Sequence, residues 1–352
     1  MAKRNYYNIT NLLNTNAQYL MLLGQRANGK SYQVKKTVLE DAYNDRGMFV
    51  YLRRFRADLK QTYVSSYFDD MPISKITKGE YDSVRAFNGG IYFIDLTEEG
   101  EVQKKKLIGR YCALNEAERY KSQVFAGYKN IVYEEFITDQ LYLNDEPRQL
   151  QQFISTVARL SEVKVFLVGN TLTRVCPYFS EWCLDGVLKQ KQGTIELYHY
   201  HMADNETVTI AVEYCSAVNN GNKMFFGQSA NQIISGEWDV KEVNKLPREQ
   251  YEYSVVYELE LDYQSFRFCL QLLIEPVNGG LLCFVYPLTT DRKIYRKISD
   301  KFSDLPNVST KLNRDLRPEQ LIIKCIQMDK ICFSDNLTGS DFKKVISQMN
   351  II

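Results

Sequence analysis

The pattern G-x-x-x-x-G-K-[ST] is matched at every fixed position by Leu22-Leu23-Gly24-Gln25-Arg26-Ala27-Asn28-Gly29-Lys30-Ser31. Its two glycines allow the backbone to curl so that successive N–H groups point towards phosphate oxygens. Lys30 would then bind the β- and γ-phosphates of a nucleotide, and the Ser31 hydroxyl would bind Mg²⁺. The N-terminus of a following helix would add the positive end of its dipole. The stretch therefore predicts a nucleotide-binding loop.

The residues on either side of this loop fit that prediction. Tyr19 to Leu23 is a continuous apolar run, typical of a strand buried on both faces. Ser31 to Asp45 has apolar side chains at roughly helical spacing, and Gly47 follows it. The sequence has no N/T-K-x-D guanine signature, so we expect ATP with Mg²⁺ as the ligand. The expected nucleotide-binding residues are Gly24, Gln25, Arg26, Ala27, Asn28, Gly29, Lys30, Ser31 and Tyr32.

A second element of the same kind is the apolar run Asn130 to Phe136, which contains the acidic pair Glu134 and Glu135. In such a pair the first carboxylate holds Mg²⁺, and the second orients and deprotonates the attacking water. The first position is more commonly Asp, and Glu134 is one methylene longer. Either the shell of metal ligands differs slightly, or the strand lies slightly further back.

The composition limits the class of protein. A chain of 352 residues is long enough for two domains. With a net charge of +1, it must bind any polyanion through a local basic patch. Eight cysteines without C-x-x-C, and only two histidines, argue against zinc and favour reduced thiols in a cytosolic protein. We find neither a signal-peptide pattern nor an apolar stretch of membrane-spanning length, so no membrane partner is expected.

Two basic clusters are candidates for contact with a polyanion. One follows the apolar strand Met48 to Leu52, and ligands of open α/β sheets bind outside the carboxyl ends of strands. The other is a lysine triplet between short apolar runs. Either cluster could instead be a solvated basic surface. The candidate DNA-contacting residues are Arg53, Arg54, Arg56, Lys60, Lys104, Lys105 and Lys106.

The first half of the chain alternates apolar strands with helices, which predicts a mostly parallel, doubly wound α/β sheet. A hairpin is expected around Asn88-Gly89-Gly90. Residues 186–248 have a different pattern, with short strand-like pieces separated by Asn- and Gly-rich segments, and are interpreted as a linker or small subdomain. Residues 249–352 have antiparallel strand patterns followed by helices, which indicates an α+β domain. The expected strands of the first domain are residues 19–23, 48–52, 107–112, 130–133 and 163–168.

The order of these motifs resembles the DNA-packaging (encapsidation) ATPases of small tailed phages with protein-primed linear genomes. The resemblance covers most of residues 5–185 and continues more weakly through the second domain. It is carried by the phosphate loop, the strand that ends in Arg53-Arg54, Lys121-Ser122 ahead of the acidic pair, and Val168-Gly169-Asn170 with Pro177-Tyr178-Phe179.

The resemblance implies a P-loop ATPase domain of the ASCE/RecA type over residues 1–185. It implies a C-terminal RNase H-like, nucleic-acid-binding domain over residues 249–352, without nuclease function. Five copies would form a ring at the capsid portal, with a packaging RNA, and pump double-stranded DNA into a preformed capsid. The protein would work in the host cytoplasm and transiently on the viral procapsid.

The resemblance also implies roles for single residues. Glu135 would be the catalytic base, and Asn170 would couple the nucleotide to the rest of the domain. Arg159 and Lys121 are candidates for cations that act on a neighbouring subunit's site, and Arg174 is a second candidate for that role. Arg56 matches a basic position that faces DNA.

Other interpretations of the sequence stay open. One is a helicase or another nucleic-acid-dependent ASCE ATPase, although no further helicase motifs are found. A small-molecule kinase would need a lid and an acceptor site, and the second domain does not suit either. A terminase-like nuclease would use carboxylates of the second domain that converge on two metal ions. Its candidate carboxylates are Glu258, Glu260, Asp262, Glu275 and Asp291, of which Glu258 and Glu260 are expected to face solvent.

Overall fold

The computed structural model of the chain describes residues 7–350 except residues 98, 100, 203–205, 218–236 and 291. Contacts between Cα atoms divide the chain into two units, each built from separate segments. Within the described residues, none of the helices has the length and apolar character needed to cross a membrane. The first unit consists of Met1–Thr138, Tyr142–Leu172 and Gly186–Glu237, and the second of Asp139–Leu141, Thr173–Asp185 and Trp238–Ile352.

The first unit contains six short to medium helices and nine strands among its described residues. The helices are α1 (Thr10–Leu13), α2 (Lys30–Tyr43), α3 (Gln61–Ser66), α4 (Ile73–Ile76), α5 (Ala117–Tyr120) and α6 (Glu146–Val157). The strands are β1 (Tyr19–Leu23), β2 (Met48–Arg53), β3 (Ser83–Phe87), β4 (Gly90–Leu96), β5 (Val102–Ala113), β6 (Tyr128–Glu134), β7 (Lys164–Val168), β8 (Thr194–His201) and β9 (Thr207–Tyr214).

These nine strands form one sheet in the order β3-β4-β5-β2-β6-β7-β1-β9-β8. The six strands from β5 to β9 in this order are parallel, and an antiparallel hairpin closes each side. The five strands expected in this half of the chain are all present, and the mostly parallel sheet is confirmed. Because parallel strands end at the same edge, the segments that follow β1, β2, β6 and β7 meet there.

The local sequence explains the two elements on either side of the phosphate loop. Strand β1 lies between β7 and β9, and its apolar residues Leu20 to Leu23 are fully buried. Helix α2 begins after Gly29, whose φ of 98° is in the left-handed region that favours glycine. Its buried residues Val34 and Val38 repeat at helical spacing and pack on the sheet core. The rigid pair of elements fixes both ends of the loop.

The structure differs from the sequence-based interpretation over residues 186–248. Strands β8 and β9, expected in a linker or small subdomain, belong to the nine-stranded sheet of the first unit, where β9 pairs with β1. Residues 173–185, expected in the first domain, group with the second unit. The placement of β9 depends on long-range strand pairing, which local sequence patterns do not predict. At the end of β9, for example, the Cys215 N–H donates to Leu23 O at 2.9 Å.

The second unit holds a six-stranded sheet and three helices among its described residues. The sheet order is β14-β13-β10-β11-β12-β15, in which β10, β11 and β12 form an antiparallel meander and β13 to β15 add in parallel. The antiparallel strands come first in the sequence, and two longer helices follow them, α8 (Arg317–Gln327) and α9 (Asn336–Met349), as expected of an α+β domain. This confirms the expected fold class. The elements are α7 (Pro177–Glu181), β10 (Ser254–Tyr263), β11 (Phe266–Ile274), β12 (Leu281–Pro287), β13 (Lys297–Ser299), β14 (Val308–Ser309), α8 (Arg317–Gln327), β15 (Ile331–Phe333) and α9 (Asn336–Met349).

The expected exposure of the acidic residues on β10 is wrong for Glu260. Its side chain is buried and lies 3.0 Å from Arg267 and 3.4 Å from Lys297. Glu258 is half-buried and pairs with Arg292 at 3.0 Å. Arg267 on β11 and Lys297 on β13 compensate the charge of Glu260, and Arg292, between β12 and β13, compensates that of Glu258.

Candidate active site at the phosphate loop

The loop between β1 and α2 has the backbone shape that its glycines predicted. Gly24 has a φ of 143° and Ala27 a φ of 59°, so the chain turns twice before Gly29. A Cβ at Gly24 would lie 3.2 Å from Cys215 O, at the end of the neighbouring strand β9. Because the backbones approach this closely, a side chain at position 24 would push the loop away from the sheet.

Lys30 is buried, and its ammonium is bonded to oxygen atoms of the loop. Its Nζ lies 2.6 Å from Gln25 O, 3.2 Å from Gly24 O, and 3.3 Å from both Asn28 Oδ1 and Asn170 Oδ1. Burial lowers the pKa of Lys30 to about 8. Within the described residues, no carboxylate lies at ion-pair distance from it. A buried cation with dipoles around it but no counter-ion is suited to an anionic ligand.

Ser31 and Glu134 come together as the metal-binding prediction requires. The Ser31 hydroxyl donates to Glu134 Oε2 at 3.1 Å, joining the start of α2 to the end of β6. Burial raises the pKa of Glu134, whereas its hydrogen bonds from Tyr67 and Ser31 oppose that shift. A hydroxyl and a carboxylate at this spacing are the oxygen ligands that Mg²⁺ prefers. The residues therefore fit a Mg²⁺ ion.

Tyr67 is a neighbour of this pair that the sequence did not indicate. Its hydroxyl donates to Glu134 Oε1 at 2.5 Å. It follows α3, in the excursion between β2 and β3, and no motif in that segment has the spacing of a known site. Only the folded chain brings it to the end of β6.

Glu135 lies just past the end of β6, with its backbone in the left-handed region at a φ of 57°. Such a conformation is costly for a residue other than glycine and is concentrated at functional sites. The Glu135 side chain is 60% exposed, and its Oε2 lies 2.6 Å from Arg53 Nη2. The carboxylate can therefore reach solvent while an arginine from the end of β2 holds it.

Asn170 lies beside the loop, as its position after β7 suggested. Its side-chain oxygen accepts from Lys30, and the next residue, Thr171, donates its N–H to Gly24 O at 3.3 Å. Two contacts thus connect the end of β7 to the phosphate loop. Asn170 is placed to respond to any movement of the Lys30 ammonium.

The outer residues of the predicted loop differ in exposure. Arg26 and Ala27 are exposed, Gln25 is half-buried, and Asn28 is buried. Asn28 Oδ1 accepts from the Lys30 N–H at 3.1 Å, which stabilises the turn into α2. Tyr32 is half-buried and packs on the sheet core.

The candidates for action on a neighbouring subunit fall in two places. Arg159 and Lys121 are both exposed, and Arg159 Nη2 donates to Lys121 O at 2.9 Å. They therefore belong to one surface of the first unit. Arg174 belongs to the second unit and pairs with the buried Asp341 at 2.9 Å. Burial raises the pKa of Asp341 to about 6, and the positive charge of Arg174 opposes that shift. Arg174 therefore already has an acidic partner within its own unit.

The first basic cluster separates into buried and exposed members. Arg54 is 6% exposed, contacts both carboxylate oxygens of Glu146 at 2.7 and 2.9 Å, and donates to Phe136 O. This burial argues against a direct contact between Arg54 and DNA. Arg53 is held by Glu135. Arg56 and Lys60 are exposed and line a cleft of about 490 Å³.

The lysine triplet on β5 is split by the pleat of the strand. Lys104 contacts Glu80, and Lys106 lies 2.7 Å from Asp45, so both have acidic partners. Lys105 is exposed, and its ammonium lies 5.8 Å from the centre of the Tyr92 ring. Alternate residues of a strand point to opposite faces, so the three do not form a single patch.

Known proteins resemble this chain in sequence and in fold. The DNA packaging protein of Bacillus phage phi29 is 27% identical over 183 residues, which is 51% of this chain and 50% of the phage protein. The chain thus spans about half the length of the curated relatives it matches. The bacteriophage Phi-29 viral genome packaging motor assembly contains a chain with a TM-score of 0.58 and 18% identity, covering 98% of this chain and 99% of that one. The Phi-28 gp11 DNA packaging motor gives a TM-score of 0.53 and 14% identity, covering 99% of each chain.

At those identities the two motor structures show that the fold is shared. The family assignment depends on sequence: the model of the Podovirus DNA encapsidation protein (Gp16) family matches residues 1–204, which contain the phosphate loop, the acidic pair and Asn170. The chain belongs to the Podovirus DNA encapsidation protein (Gp16) family.

Proposed function

We propose that the chain is an ATP-driven motor that moves double-stranded DNA into a preformed viral capsid. The observation that carries this proposal is the buried Lys30 ammonium, which has loop dipoles around it and lies beside the Ser31–Glu134 pair. That arrangement supports Mg-ATP binding by residues 24–32. Relatives named as DNA packaging proteins support DNA as the second substrate.

The catalytic steps follow from the chemistry of the side chains. Lys30 and the loop N–H groups would bind the β- and γ-phosphates, while Ser31 and Glu134 would hold Mg²⁺. The metal would supply neutralisation of charge that develops on the phosphate oxygens. Glu135 would orient the attacking water and accept its proton, because it follows Glu134 directly at the end of β6 and its carboxylate reaches solvent.

A complete site would need a cation from a second copy of the chain. Arg159 and Lys121 are our candidates, because both are exposed on the surface of the first unit. A cation that enters the site from a neighbour stabilises the transition state of phosphoryl transfer. This supports a homo-oligomeric ring, for which we propose five copies at the capsid portal, with a packaging RNA.

DNA contact is assigned to Arg56 and Lys60, which are exposed beside the same cleft. Contacts of this kind bind phosphates, so affinity should fall with salt and should not depend on base sequence. A chain of net charge +1 binds DNA weakly by itself, whereas a ring places several copies of the cleft around one duplex. The protein would act in the host cytoplasm and transiently on the procapsid.

A nuclease that uses the second unit is the alternative with the least support. Its candidate carboxylates Glu258, Glu260 and Asp262 are paired with Arg292, Arg267 and Lys297. Within the described residues, no group of three or more His, Cys, Asp or Glu side chains is arranged to hold a metal. Asp291 lies outside the described residues. We propose that the second unit binds nucleic acid without cutting it.

The proposal is tested by steady-state ATP hydrolysis with and without long double-stranded DNA, for wild type and Glu135→Gln. We expect DNA of any sequence to stimulate hydrolysis, salt to suppress that stimulation, and the Gln variant to bind ATP without turning it over. Robust hydrolysis that ignores DNA would remove the packaging role and favour a kinase-like enzyme. Cleavage of plasmid DNA in Mn²⁺ would favour the nuclease.

A further inference from the structure

The carboxylate of Glu134 is held by two hydroxyl groups, one on each oxygen. Ser31 donates to Oε2 at 3.1 Å, and Tyr67 donates to Oε1 at 2.5 Å. Two donors on opposite oxygens fix the plane of a carboxylate and leave its remaining lone pairs for other ligands. Ser31 belongs to the phosphate loop, whereas Tyr67 comes from a separate segment of the chain.

Tyr67 is itself fixed by packing and charge. Its ring stacks on Tyr51 with centroids 4.5 Å apart and an interplanar angle of 28°. Lys35 Nζ lies 4.5 Å from the centre of the Tyr67 ring and bonds to Tyr67 O at 2.6 Å. Lys35 also pairs with Asp70 at 2.5 Å. The hydroxyl therefore presents a fixed donor to Glu134.

The Tyr67 contact matters because the acidic residue is Glu134, at a position where aspartate is more common. Glutamate has one more rotatable bond than aspartate, so a free Glu134 would place its carboxylate in several positions. A hydrogen bond to each oxygen removes that freedom. We propose that Tyr67 is a positioning residue that aims the Glu134 carboxylate at the Mg²⁺ site and so allows glutamate to serve where aspartate is more usual. This inference rests on the proposed ATPase function.

The test compares Tyr67→Phe with Tyr63→Phe, which makes the same chemical change on α3 at an exposed position. The readout is the rise in melting temperature given by ADP as Mg²⁺ is titrated, which reports binding without turnover. Loss of an outer-shell partner typically weakens metal binding by about 10-fold or more. We expect the half-maximal Mg²⁺ concentration to rise by that factor for Tyr67→Phe and to stay unchanged for Tyr63→Phe.

Hydrolysis gives a second readout. With saturating Mg²⁺, Tyr67→Phe should recover most of its kcat, whereas a fold defect would persist at every Mg²⁺ concentration. An unchanged Mg²⁺ requirement in a folded Tyr67→Phe protein would overturn the inference. Wild-type protein that shows no Mg²⁺-dependent stabilisation by ADP would instead contradict the proposed function itself.

Glu134→Asp tests the same contact from its other end, and it serves if Tyr67→Phe does not fold. The shorter aspartate cannot keep both hydroxyl bonds, so its Mg²⁺ requirement should also rise. In the double variant the two losses should not add, because both remove one interaction. If Tyr67→Phe weakens Mg²⁺ binding as much in the Glu134→Asp protein as in wild type, Tyr67 does not act through the Glu134 carboxylate, and the inference is overturned.

Discussion

Arg53 and Glu135 form an ion pair of 2.6 Å that joins the ends of two neighbouring strands, β2 and β6. The proposed catalytic base is therefore engaged by a cation from the next strand. Arg53 also lies 3.8 Å from Asp58, so a second carboxylate is close enough to receive it when it leaves Glu135.

The first prediction concerns this pair. Arg53→Ala should raise hydrolysis in the absence of DNA, because Glu135 is then free to orient water. An exposed ion pair contributes up to about 1 kcal/mol, which corresponds to about fivefold in rate. Steady-state hydrolysis without DNA measures the effect, and Arg56→Ala is the matched control. If Arg53→Ala binds ATP but hydrolyses none, Arg53 has a direct catalytic role and the prediction is wrong.

The second prediction concerns the buried charge of Lys30. Lys30→Met should abolish ATP binding yet raise the melting temperature of the nucleotide-free protein, because it removes a buried cation that has no carboxylate partner. Burial lowers the pKa of Lys30 to about 8 in the folded chain, below that of the unfolded chain. The folded state therefore binds fewer protons above pH 8, and wild-type stability gains as pH rises through that range.

The pH dependence of the melting temperature tests this prediction, and a second lysine variant on the same helix serves as the control. The difference in melting temperature between Lys30→Met and wild type should be large at pH 7 and should shrink towards about pH 9.5, where wild-type Lys30 is neutral. Lys36→Met, on the exposed side of the same helix, should show no such trend. A difference that stays constant with pH would mean that the buried charge does not limit stability.

Sequence and structure agree most closely where local pattern and chemistry coincide. The loop between β1 and α2, its flanking strand and helix, and the acidic pair at the end of β6 could all be predicted, because each has fixed spacing or a continuous apolar run. The hydrogen bond between Ser31 and Glu134 follows from the parallel sheet, because β1 and β6 end at the same edge.

The features that could not be predicted depend on distant pairing. Strand β9 looked like part of a separate subdomain, since nothing local shows that it pairs with β1. Arg54 was predicted to contact DNA because it belongs to the basic cluster after β2, and nothing local indicates its ion pair with Glu146, 92 residues away in the sequence. Tyr67 has no motif, and its role depends on a contact with Glu134 that only the folded chain makes.

The third prediction distinguishes Arg54 from Arg56, two arginines of the basic cluster after β2, by the effect of their substitution on protein stability. Arg54 is paired with the fully buried Glu146, which also accepts from the Tyr133 hydroxyl at 2.7 Å. Arg54→Ala should therefore destabilise the protein by about 3–5 kcal/mol, because it leaves a buried carboxylate without its cation. Arg56→Ala should leave stability unchanged and weaken stimulation by DNA, with a shallower salt dependence. Urea denaturation measures the first effect and hydrolysis the second. Equal stability of the two variants would contradict this assignment.

The fourth prediction addresses the cation from a neighbouring subunit. Arg159→Ala and Glu135→Gln should each be inactive alone, but a mixture should regain activity. In a ring, every interface is formed by different surfaces of two copies, so a base from the Arg159→Ala subunit can meet an intact arginine from a Glu135→Gln neighbour. Random assembly would complete roughly a quarter of the sites.

Lys121→Ala, mixed in the same way, separates the two candidate cations. Arg159 bonds to the Lys121 backbone oxygen, so Lys121→Ala removes the ammonium and keeps that contact. If only the Arg159→Ala mixture recovers, Arg159 enters the neighbouring site and Lys121 does not. If mixed rings assemble and neither mixture recovers, the cations act within their own subunit. Hydrolysis would then need no neighbour, and its rate per chain should be independent of protein concentration.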